Sequence, residues 1–140
     1  MRKIFFIFLV ITVIILGGCL NYEGHALSAE TNVAQAVKYQ KITPGEAKQI
    51  MDDGEEFILL DVRTEEEFET IRIEGAVLIP NYEIKERASD ELPDKDARIL
   101  IYCRSGGRSA QAAMDLINMG YTNVFDFGGI IDWPYETVVR

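Results

Sequence analysis

The sequence predicts a single α/β domain, a mostly parallel five-stranded sheet with helices on both faces. Three observations lead there. Between residues 39 and 133, short apolar runs alternate with stretches of helical periodicity, the pattern of βαβ units. Two of those runs, Phe57-Ile58-Leu59-Leu60 and Ile99-Leu100-Ile101-Tyr102, are apolar throughout, as strands covered on both faces must be. Two Thr-x-x-Glu sequences, Thr43 to Glu46 and Thr64 to Glu67, have the form of capping boxes at helix starts.

Taken in order, Tyr39-Gln40-Lys41-Ile42 is a short first strand. Thr43 caps the next helix, with Pro44 at its first position, and Asp53-Gly54 ends it. Phe57 to Leu60 is the second strand, closed by Asp61, and Thr64 opens the second helix. Ala76 to Ile79 forms a third strand, Asn81 to Ala88 a helix, and Glu91 to Asp96 a polar loop. The buried strand Ile99 to Tyr102 then runs into a tight six-residue turn, Cys103 to Arg108. Ser109 to Met119 carries apolar residues at helical spacing, and Gly120 sits where such a helix stops. Val124 to Phe127 is the last strand, and Gly128-Gly129 turns into a short segment around Trp133. A domain of about 100 residues is large enough for one core, and no repeat or second domain is visible.

The chain opens differently. Met1-Arg2-Lys3 is basic, and residues 4–16 are apolar except for Thr12. Thirteen residues are too few for a comfortable membrane span and match the apolar region of a secretory signal. Leu16-Gly17-Gly18-Cys19 resembles the bacterial lipobox, in which the cysteine is lipidated and becomes the new N-terminus. The alternative is an uncleaved anchor with an incidental cysteine. The first reading makes residues 1–18 a lipoprotein signal peptide, 19–38 a flexible tether from lipidated Cys19, and 39–140 the domain. It places the protein in the cell envelope, lipid-anchored, on the outer face of the cytoplasmic membrane or in the periplasm.

The formal charge is −9, and loss of Arg2 and Lys3 with the signal takes it two units lower, to −11. So acidic a body is a poor nucleic-acid binder. Glu65-Glu66-Glu67 reads as a solvated helix face. His25, the one histidine, falls in the tether, so the domain has no cysteine–histidine pair for protease-like catalysis and a poor metal-ligand set. No metal or organic cofactor is implied. Of the two cysteines, lipidation would take Cys19 and leave Cys103 without a disulfide partner.

Cys103-Arg104-Ser105-Gly106-Gly107-Arg108-Ser109 carries the chemistry. Gly106 and Gly107 let the loop curl and aim several N–H groups at one point. The following helix brings its positive dipole end to that point, and Arg104 and Arg108 add charge. All favour thiolate, the reactive form of cysteine, and the same concavity suits a small anion.

This loop, with Tyr102 before it, resembles the active-site loop of rhodanese-like sulfurtransferases. Leu60-Asp61-Val62-Arg63 with Glu66, Glu67 and Phe68 resembles the strand-end segment of that family. Glu74-Gly75-Ala76-Val77-Leu78-Ile79-Pro80 resembles its "GA-x-x-IP" segment, and residues 120–133 its C-terminal signature. The resemblance implies a single-domain, monomeric thiosulfate-type sulfurtransferase. Cys103 would be the catalytic residue, residues 104–109 would form the substrate-binding loop, and Asp61 and Arg63 would play a supporting part or be no more than a strand-end ion pair. The implied partners are a small sulfur anion, thiosulfate or a persulfide, and a thiol or cyanide acceptor. Arg72 stands where the family often has histidine, and Ile71 where it often has glycine; these departures bear on substrate choice.

Two other readings compete. One is a phosphatase or arsenate reductase, since the rhodanese fold is shared with cell-cycle phosphatases, whose loops place arginine six positions after the cysteine. Here that position is Ser109 and the arginine comes at five; the shorter loop argues against phosphatase activity. The other is a membrane-tethered persulfide carrier or sulfur-sensing module with little turnover, which the same loop would serve.

Overall fold

The computed structural model describes residues 38–139. The expected signal peptide, Cys19, His25 and all of the tether up to residue 37 lie outside the described residues. In chain order the elements are β1 (Gln40–Lys41), α1 (Pro44–Asp52), β2 (Ile58–Asp61), α2 (Glu65–Thr70), β3 (Ile71–Arg72), β4 (Val77–Leu78), α3 (Ile84–Glu91), β5 (Ile99–Cys103), α4 (Gly107–Asn118), β6 (Val124–Gly129) and β7 (Val138–Val139). A 3₁₀ turn, Ile130–Asp132, follows β6.

The main sheet has the order β1-β6-β5-β2-β4, and every neighbouring pair in it is parallel. β5 lies at its centre with all five residues buried, the reason for its unbroken apolar run. Side chains alternate across the sheet at period two. Ile99, Ile101 and Cys103 join one core with α3 and α4 residues such as Ile84, Ala112 and Leu116. Leu100 and Tyr102 join the other, with Ala47, Phe127 and Trp133. This parity puts the Cys103 thiol on the α4 side.

Both capping boxes form. The Thr43 hydroxyl accepts from Glu46 N at 3.2 Å, and the Glu46 carboxylate accepts from Thr43 N at 2.7 Å. Thr64 and Glu67 repeat the exchange at 3.3 and 3.1 Å.

Three elements differ from expectation by two residues or more. The helix expected over residues 81–88 runs Ile84–Glu91, because Asn81 N is drawn into a bond with Val62 O (3.1 Å) and Glu83 N turns back to Pro80 O (2.8 Å). α4 begins at Gly107, two residues early, since Gly106 takes a left-handed φ of 97° and starts the helix directly. β6 continues to Gly129, which pairs with Cys103 after a register shift. A feature absent from the sequence reading is the antiparallel pair β3–β7, with Ile71 opposite Val139 and Arg72 opposite Val138. Two-residue strands are too short to show periodicity.

The last turn of α3 is closed by a distant side chain. The Tyr121 hydroxyl, fully buried, shares its proton between the carbonyls of Ala88 and Leu92, each 2.7 Å away. Tyr121→Phe leaves Leu92 O without that donor, while Ala88 O keeps its bond from Leu92 N (2.8 Å), and should cost about 1–2 kcal/mol, read from urea denaturation. An unchanged midpoint would mean that the helix end finds another donor.

Candidate active site

The turn from β5 into α4 is made by Arg104, Ser105 and Gly106, and it wraps the end of its own strand. Gly106 N donates to Cys103 Sγ at 3.1 Å. Gly106 has no side chain with which to cap α4, so the sulfur stands at the helix N-terminus in place of a capping oxygen. Cys103 is 1% exposed.

Opposing effects act on this thiol. Burial pushes its pKa up. The hydroxyl and N–H of Ser109, with the N–H groups of Gly106 and Ser105, pull it down, and the net result lies below the ordinary thiol value. The Ser109 hydroxyl has only one proton, and Gly106 O (3.1 Å) and Gly128 O (3.3 Å) also accept from it. A thiolate is the stronger acceptor, so ionisation draws that proton to sulfur.

Arg108 points away from the loop to Glu67, with two parallel bonds of 2.7 and 2.8 Å. The guanidinium holds the Glu67 carboxyl down to about 2, against burial. The same carboxylate closes the capping box of α2, so one side chain ties the loop to α2.

Below the loop, Asp61 and Arg63 form an ion pair of 2.6 Å, with side chains 0% and 2% exposed. Arg63 also donates to Ile71 O at 2.6 Å, fastening the chain beyond α2. Its guanidinium lies 5.6 Å from the centre of the Tyr102 ring. Burial and the Asp61 carboxylate push the Tyr102 phenol well above its usual range; its oxygen accepts from Ile73 N at 3.3 Å. Asp61 and Arg63 thus support the strand end and do not touch the sulfur. Arg72 lies back along α2, its guanidinium 5.0 Å from the Phe68 ring.

Residues 43–134 match the family model described as Rhodanese-like domain. The chain belongs to that family. It is 41% identical over 73 residues to the thiosulfate sulfurtransferase PspE of Escherichia coli, an alignment covering 52% of this chain and 70% of PspE. It is 43% identical over 86 residues to a sulfurtransferase of Allochromatium vinosum, covering 61% and 78%. Among solved structures, a rhodanese with anions from E. coli superposes with a TM-score of 0.57 at 36% identity, over 61% of this chain and 100% of that one. The α/β architecture is therefore the rhodanese fold, and both of the relatives named are sulfurtransferases.

From the loop, Arg104 lines a depression of roughly 470 Å³ together with Arg63, Glu67 and Ile131. Arg104 and Ser105 are both exposed. Ser105, Gly106 and Ser109 thus meet around the Cys103 sulfur, Gly107 opens α4, Arg104 stands at the rim, and Arg108 is committed to Glu67.

Two residues escaped the sequence reading. Glu67, taken with its neighbours as a solvated face, is the anchor of the loop arginine. Gly129, taken as part of a simple turn, passes so close to the loop that an added Cβ would lie 2.4 Å from Arg104 O and 2.7 Å from Ser105 Cα. The Gly-Gly doublet signalled a turn, but not what crossed it.

Gly129→Ala should therefore displace the loop, costing about 1–3 kcal/mol and slowing alkylation of Cys103; wild-type stability and reactivity together would contradict the close approach. Glu67 gives a pH prediction. Its folded value of about 2 lies below the ordinary 4.5, so its contribution to stability is complete above pH 4.5 and lost as pH falls to 2. Glu67→Gln should lower stability near neutrality and flatten the acid limb of a stability–pH curve between those values. An equally steep limb would deny the Arg108 contact its role.

Proposed function

We propose that this protein transfers sulfane sulfur through a persulfide on Cys103, with thiosulfate as donor and cyanide or a thiol as acceptor. The observation that carries this reading is the Cys103 sulfur at 3.1 Å from Gly106 N, under the start of α4, with its pKa lowered despite burial.

In the first half-reaction the Cys103 thiolate attacks the outer sulfur of thiosulfate. The sulfur–sulfur bond of thiosulfate breaks, and sulfite leaves with the electron pair. The persulfide left on Cys103 is anionic at its outer sulfur, and the N–H groups of residues 105, 106 and 109 suit that charge. In the second half-reaction the acceptor attacks the outer sulfur, the bond to Cys103 Sγ breaks, and the thiolate returns. Cyanide leaves as thiocyanate, a thiol as its persulfide. No further oxidant or reductant enters.

Arg104, exposed at the rim, draws the anionic donor toward the loop. Asp61 and Arg63 act from below by fixing the end of β2 beside Tyr102. The apolar run at residues 4–16 and Cys19 support a lipid-anchored envelope location as part of the same proposal.

Cys103→Ser should reduce thiocyanate formation from thiosulfate and cyanide to the uncatalysed background and leave the free energy of unfolding within about 1 kcal/mol of wild type. Sulfur transfer retained in that variant would refute the mechanism.

A further inference from the structure

We propose that the acceptor thiol at this site carries both an ammonium and a carboxylate, as an amino-acid thiol does, and that Glu66 and Arg104 select it. The inference rests on the persulfide reading above and adds the chemical class of the acceptor.

The charges lining the depression divide into used and unused groups. Arg63 is paired with Asp61, and Glu67 with Arg108. Glu66 and Arg104 line the same space, yet neither side chain makes a hydrogen bond or ion pair with another described residue. An unpaired acid and an unpaired base therefore face one depression of roughly 470 Å³ without meeting. Ile130 and Ile131, the latter 65% exposed, add an apolar wall beside Arg104.

A site for small dianions alone has no use for Glu66, which repels them. A zwitterion uses both charges: carboxylate to Arg104, ammonium to Glu66, with its short carbon stem against the isoleucines. Being neutral overall, it also enters an acidic body, formally −9, without the repulsion a doubly charged anion meets. Once in place, its thiol gives its proton to solvent, and the resulting thiolate attacks the outer sulfur of the Cys103 persulfide. The bond between that sulfur and Cys103 Sγ breaks, its electron pair returns to Cys103, and the acceptor leaves as a persulfide.

Four probe thiols separate the charges: L-cysteine carries both, cysteamine only the ammonium, 3-mercaptopropionate only the carboxylate, and 2-mercaptoethanol neither. The full-length protein is loaded with thiosulfate, the Cys103 persulfide is verified by mass, and its discharge is timed with each thiol. In Glu66→Gln, an isosteric change at an exposed position, the cysteine and cysteamine rates relative to 2-mercaptoethanol should each fall about three-fold, as expected for an exposed ion pair. The 3-mercaptopropionate rate relative to 2-mercaptoethanol should rise or hold. In Arg104→Ala the cysteine and 3-mercaptopropionate ratios should fall instead. Ratios that stay at wild-type values in both variants overturn this inference while leaving the persulfide reading standing. No persulfide on the wild type overturns both.

Discussion

The structure depends on one close approach. The ends of β5 and β6 run side by side, Cys103 opposite Gly129, and the chain leaving Cys103 must cross over the glycine to start α4. There is no room for a side chain at the crossing, where a Cβ would stand 2.4 Å from Arg104 O. Only with that backbone contact can three residues reverse the chain and bring Gly106 N back to the sulfur of the strand they have just left. Gly106, itself left-handed, sits against Gly128, so two glycine-bearing turns stack directly. The thiol is held by backbone, and its environment is set by the fold as a whole.

Around that contact the polar groups work in pairs that tie different parts of the chain together. Arg108 reaches Glu67 on α2, Arg63 reaches Asp61 and Ile71, and Asp126 accepts from Gly128 N at 3.0 Å to brace the β6 turn. Arg108, Glu67, Arg63 and Asp61, so engaged, are unavailable to a ligand. Beside the loop, among the described residues, what remains for a ligand is a small set: the loop N–H groups, Arg104 and Glu66. The division explains how an acidic domain can still receive an anion, since its negative charges beside the loop are largely neutralised by partners while the N–H groups are not.

Much of this was legible in the sequence because it is local. Unbroken apolar runs at 57–60 and 99–102 gave buried parallel strands, Thr-x-x-Glu gave helix starts, and Cys103 followed by two glycines gave a thiol under a helix end. What was not legible is non-local. The role of Glu67 requires knowing that α2 lies beside the loop, a contact between residues 41 positions apart. Gly129 reads as an ordinary turn residue until Arg104 is found above it. The shift of α3 by three residues follows from Asn81 N bonding to Val62 O, a tertiary bond that no periodicity encodes. The pair β3–β7 joins segments 66 or more residues apart, each only two residues long.

The central claim is that the sulfur under α4 accepts a second sulfur atom, and intact mass tests it most directly. The protein is incubated with thiosulfate, freed of small molecules and weighed, and the added mass is mapped to the peptide holding Cys103. The account predicts a gain of one sulfur atom there, removed by cyanide and absent in Cys103→Ser. A folded protein with Cys103 free, titratable and unchanged in mass after the same treatment would contradict it.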